Sequence, residues 1–199
     1  MLIDLIRYGH ILGLALGFGL AIYADLKLLR GLTRPISTAM ITSLREVHGY
    51  VAVGLVGLWA TGLMLIATKA AFGPAGLSDK LYVKVMLATL LTSNAVAIGR
   101  IALPMMAKAE GRLFSELALP ARVTLCLLGG FSAASWVSLA ALGTFQGFKV
   151  MPVDEILAIL RWPFLGAAMG AVAIAVALPY LHMLHRSTKP LVLRTPVRA

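Results

Sequence analysis

Four side chains stand out because hydrocarbon offers them nothing to bond to: His10, Asp25, Lys84 and Asn94 each lie in an otherwise apolar run. An ionisable or amide group left unpaired inside a bilayer is costly, so such positions mark functional sites by default. At helical spacing His10, Gly13, Gly17, Ala21 and Asp25 fall on or near one face, a smooth stripe with a titratable group at each end. That stripe suits a flat cofactor or a close helix.

Haem b is the flat cofactor to consider, because imidazole ligates its iron and glycine lets a macrocycle approach the backbone. The neighbours of His10 on its side of the membrane are Met64, Tyr82, Lys84 and Met86. Met86 reads as a sixth ligand, and Lys84 or Arg7 as a propionate partner. The competing reading is a buried histidine hydrogen-bonded to the next helix. His48 and His182 form a second constellation, an alternative metal site on the other side, with His185 three residues beyond His182. At that level histidines also sit cheaply among headgroups. Asp25 is expected to pair with Arg100, Arg45 or Lys27.

The remaining polar and aromatic residues read as structure. Trp162 follows Arg161 at an expected helix start and resembles an interfacial anchor, whereas Trp59 and Trp136 are internal. The serines around Trp136 can bond across helices. Cys126 is the single cysteine, which excludes a disulfide or a cysteine-based zinc site within one chain. No nucleophile, base and orienter pattern, phosphate-binding glycine loop or zinc motif is present in the sequence.

The elements that must hold these residues follow from composition. Of 199 residues, 60% are hydrophobic and only 13% charged, about half the charged share of a soluble domain. Five apolar segments emerge, 3–29, 50–67, 81–101, 123–143 and 163–184, each near the length that spans hydrocarbon as a helix. Pro35 followed by Ser37 reads as a helix start, so the second helix extends beyond the bilayer. The chain is expected to be one all-α polytopic membrane bundle over 1–199 with a basic tail at 185–199. The lipid bilayer is its first partner.

Orientation comes from the basic residues. Lys27, Arg30, Arg34, Arg45, Arg100, Lys108, Arg112, Arg122 and the four cations after Leu184 fall on one side, twice the number on the other. Positive-inside sorting makes that side cytoplasmic, with the N-terminus outside a bacterial inner membrane. The same sorting accounts for the formal charge of +10 without nucleic acid. Cleavage of a signal peptide after Ala24 would strand Lys27, Arg30 and Arg34 outside, so the first helix is read as retained.

The runs HILGLALGFGLAIYADLKLLR, GLVGLWATGLMLI and LYVKVMLATLLTSNAVAIGR together resemble the HemJ/CopD-type membrane families over roughly the first hundred residues. Those families share a first-helix His followed by Gly, a second helix with Trp-x-x-Gly and a third helix beginning with Lys, matched here by His10 with Gly19, Trp59 with Gly62, and Lys84. The resemblance implies His10 as a haem ligand and Lys84 as a site residue. HemJ-type proteins are haem-associated protoporphyrinogen oxidases, but Ala24-Asp25-Leu26 stands where they carry Leu-Pro-Arg and Asn94 replaces a third-helix His, departures that count against that activity in this chain. Three readings follow: a haem-binding redox protein with Arg7, His10, Gly13, Gly17, Trp59, Lys84 and Met86 around the cofactor; a cofactor-free subunit of a larger membrane complex or homo-oligomer packed through its glycine faces; and metal handling of the CopD type. Alkaline phosphatase fused after Ala199 is expected to be inactive and a cytoplasmic reporter there active. The reverse pattern overturns the orientation.

Overall fold

The computed structural model describes residues 1–71 and 78–187, and side chains within 1–68 and 78–180. The side chains of His182 and His185 and the tail from residue 188 lie outside the described residues. Five helices are long and apolar enough to cross a membrane: α1 (Leu2–Gly31), α2 (Thr38–Ala71), α3 (Asp79–Lys108), α4 (Leu119–Thr144) and α5 (Val153–Ser187). In hydrocarbon only a helix or closed barrel satisfies every backbone group internally, and no strand forms among the described residues. Large apolar side chains face outward on every helix, among them Leu12, Val56, Leu90, Val137 and Met169. Such a surface is that of a multi-pass membrane protein.

Three of the helices have a physical start that the structure shows. The Ser37 hydroxyl accepts the Met40 N–H at 3.2 Å, capping α2. Pro120 sits in the first turn of α4, where its missing N–H costs nothing. Asp154 and Glu155 occupy the first turn of α5 and complement its dipole. This places the start of α5 ten residues ahead of Pro163, the expected boundary, and puts Arg161 and Trp162 inside the helix. The reason is packing: Ile156 and Leu160 are buried against Val83, Leu87 and Leu142, which outweighs the break that Pro163 suggests.

In α3 the turn Ile98–Ala102 is a π-helix, with the Leu103 N–H reaching back to the Ile98 carbonyl. Pro104 lies just beyond. It has no N–H for the Arg100 carbonyl and its ring crowds the preceding turn, so the widened turn lets the helix continue to Lys108.

The helices alternate in direction. One end of the bundle, the near end, holds Met1; the other, the far end, holds the connections Leu32–Ser37 and Ala109–Ala118. α1 packs along α2, and α4 packs along α3 and α5. The two groups meet in the middle, where the indole of Trp136 lies directly on Gly17 and stacks on Phe18 at 6.3 Å. Three buried clusters follow one another along the bundle: Val83, Leu87, Leu142 and Ile156 at the near end, Ala21, Leu55, Leu91 and Trp136 in the middle, and Ile36, Leu44, Leu103 and Met106 at the far end.

Both ends are tied by polar contacts. At the near end the buried Lys80 donates to the Phe145 carbonyl at 2.8 Å, satisfying the last turn of α4. At the far end the two connections pair: the Ile36 N–H reaches the Arg112 carbonyl at 2.9 Å and the Gly111 N–H reaches the Ile36 carbonyl at 2.8 Å. Gly111 supplies the φ of +78° that this turn needs. Thr38 donates to Glu110 alongside.

Gly54 is the tightest point between α1 and α2. A Cβ there would stand 3.2 Å from the Gly17 nitrogen and 3.3 Å from its Cα, and backbone cannot swing aside. Gly54→Val is expected to cost about 1–3 kcal/mol by overpacking, read from unfolding in mixed detergent. Gly57→Val, where a Cβ meets nothing within 4 Å, should leave stability nearly unchanged.

Candidate functional site

The near-end layer is built around His10. Its Nδ1 lies 2.9 Å from the Thr61 hydroxyl, and that hydroxyl donates its single proton to the Gly57 carbonyl at 2.7 Å. The hydroxyl therefore accepts from the imidazole, which puts the ring proton on Nδ1 and leaves the lone pair on Nε2. This tautomer is assigned from the hydrogen-bond network. Gly62 makes room for the ring, with Cε1 standing 3.5 Å from where a Cβ would be. Lys84 on α3 is close enough for its charge to be felt at the imidazole. The structure thus brings together two of the predicted residues and adds Thr61, which sequence reasoning missed. WATG contains it, but a threonine in an apolar helix usually bonds its own backbone, and nothing local marks this one as also serving a histidine.

The other predicted cofactor residues are engaged elsewhere. Gly13 packs on Leu58 and Gly54, and Gly17 lies under Trp136. Of the two uses foreseen for the glycine stripe, the structure has the close helix. Trp59 donates from Nε1 to Thr92 at 2.9 Å. Met86 packs against the near-end cluster formed with α4 and α5, and Arg7 pairs with Asp4 at 3.6 Å on the exposed surface.

The far-end half holds the second candidate site, a cavity of about 420 Å³. α1 contributes Asp25 and α2 His48, while α3 contributes its π-turn and α4 and α5 a wall of small residues. Asp25 points to α4, its Oδ1 3.8 Å from where a Cβ would stand on Gly129. His48 lies against the π-turn, with Nε2 3.0 Å from the Cβ position of Gly99. The half-buried thiol of Cys126 also lines the space.

The expected pairing of Asp25 with Arg100, Arg45 or Lys27 does not occur. Among the described residues neither Asp25 nor His48 has a hydrogen-bond or charge partner. Lys27 is engaged by α2 instead, donating to the half-buried Ser43 and lying over the Tyr23 ring at 5.8 Å. A hydroxyl on the adjacent helix thus takes the cation that sequence proximity assigned to the carboxylate. The serines near Trp136 differ too: Ser135 bonds the Phe131 carbonyl of its own helix at 2.8 Å, and Ser138 is buried with its hydroxyl unpaired.

Asn94 closes the wall between α3 and α4, donating to the Leu128 carbonyl at 3.0 Å. Among the described residues no group of three or more His, Cys, Asp or Glu is arranged to hold a metal ion. No family model, curated protein or solved structure matches the chain. Asn94→Leu should lower stability by about 0.5–2 kcal/mol, the range for interhelical hydrogen bonds in membranes. The exposed Ser93, bonded only to its own helix, is the control: Ser93→Ala is expected to change little.

Proposed function

We propose that this chain is a b-type haem redox protein of a bacterial inner membrane, N-terminus outside and C-terminus cytoplasmic, with His10 as axial ligand. The observation that carries the reading is the relay from His10 Nδ1 through Thr61 to the Gly57 carbonyl. Metal-ligating histidines are held in this way, one nitrogen fixed by a hydrogen bond while the other faces the metal. Haem bound here would take Nε2 of His10 at its iron, and Lys84, whose charge reaches the imidazole, would stand on the side of a propionate. Bound haem supplies one-electron chemistry. The chain's own part is to orient the imidazole, neutralise the propionate and keep the site in an apolar shell.

Oxidised and dithionite-reduced spectra of the protein in mild detergent test this directly. A Soret band is expected that His10→Ala abolishes and His48→Ala retains; a featureless visible region after expression with ample haem overturns the reading. Thr61→Val is expected to weaken haem retention by about tenfold to a hundredfold, the usual cost of losing a partner that orients a ligand.

One observation favours the second reading, that of an assembly subunit. Gly166 and Gly170 form a small-xxx-small pair on α5, and a Cβ at either would meet nothing within 4 Å, unlike the pair Gly13 and Gly17 of α1. Such a face admits a second helix, which would also lie over the mouth of the far-end cavity, since Gly170 lines it. A stoichiometric partner or dimer lost in Gly166→Leu would support it, and monomeric behaviour of the wild type would count against it.

A further inference from the structure

We propose that the far-end cavity binds the ring of a lipid-soluble quinol or quinone. The argument starts from what the cavity leaves unsatisfied. Its lining is almost wholly apolar, yet it contains a carboxyl, Asp25, and an imidazole, His48, that are without partners among the described residues. Groups of this kind are retained inside a membrane where something binds them. Among the described residues no ion pair joins Asp25 to His48, and both line the one space, so a bound molecule can present a polar atom to each.

The walls specify the shape and charge of that molecule. Gly129 and Ala133 of α4 and Ala167 of α5 line the space, and Gly130 brings the two helices so close that a Cβ on it would stand 3.1 Å from the Ala167 carbonyl. Side chains this small leave a smooth surface suited to a flat ring. No Lys or Arg lines the cavity itself among the described residues; the Arg122 guanidinium, whose charge reaches the Cys126 thiol, stands behind the wall, so a phosphate headgroup or a haem propionate finds no cation in direct contact. A lipophilic ammonium would satisfy Asp25 and leave His48 unpaired.

A hydroquinone satisfies both. One hydroxyl donates to the Asp25 carboxylate, and the opposite oxygen exchanges a hydrogen bond with His48. Position agrees as well: Asp25 stands six residues before the end of α1 at Gly31, about 9 Å along the axis, where a ring can sit below the headgroups with its tail in the lipid. The volume of about 420 Å³ falls within the range of about 300–1,000 Å³ usual for small-molecule sites.

Equilibrium dialysis of the detergent-solubilised protein against decylubiquinone and its reduced form tests the assignment. Saturable binding near one ligand per chain is expected, weakened at least about tenfold in Asp25→Leu and in His48→Phe, as loss of a hydrogen bond to a charged or buried group implies. Ala133→Phe, which fills the cavity and touches neither polar group, should weaken it equally and covers the case in which a polar variant does not fold. Uptake that only follows detergent partition, or binding equal in wild type and Ala133→Phe, overturns the proposal. So does Asp25-dependent binding of dodecyltrimethylammonium where decylubiquinone does not bind. Because bound quinone is counted rather than haem absorbance, the result is independent of the reading of His10.

Discussion

The packing of Trp136 onto Gly17 is the contact on which the rest of the bundle depends. The indole has no exposure and fills the place where any side chain on α1 would stand. Through it α1 and α2 are held against α3, α4 and α5. It also divides the interior. On its near-end side lie the half-buried His10 and Lys84; on its far-end side, where α1 and α4 carry Ala24 and Gly129 in place of such a contact, the helices leave a cavity. Two polar layers with separate chemistry are thus a consequence of one aromatic plug.

The apolar exterior makes this arrangement stable in a particular way. With lipid on the outside, burying another leucine gains little, and close backbone approach and a few hydrogen bonds between helices do the work that a hydrophobic core does in water. Gly54 against Gly17, Asn94 to Leu128 and Lys80 to Phe145 are the contacts of this type. Lys80 fastens the near end, while Gly54 and Asn94 lie beside Leu55 and Ala95 of the middle cluster.

The helices could be read from the sequence because length and hydropathy alone decide what crosses hydrocarbon. Their ends could not, because they depend on packing: Val153 to Trp162 joins α5 because Ile156 and Leu160 find a buried place, which no local signal declares. The site residues divide in the same way. His10, Asp25, Lys84 and Asn94 were visible as polar groups in apolar runs. The partners of His10 and Asn94 were not, since Thr61 and Leu128 are ordinary residues that matter only through where the fold puts them. The glycine stripe of α1 was visible as well, but whether a cofactor or a helix filled it depended on Trp136, more than a hundred residues away.

The π-turn of α3 has a bearing on how this bundle could have arisen. A turn of this kind is an α-helix carrying one additional residue, and it swings everything beyond it by about 100° around the axis. Leu103 and Met106, which lie beyond it, face the far-end cluster, so their burial depends on that added residue. An ancestor lacking it would have pointed a different set of side chains inward at this end and had no recess for His48 beside Gly99. The recess for His48 and the burial of Leu103 and Met106 thus rest on the same widened turn.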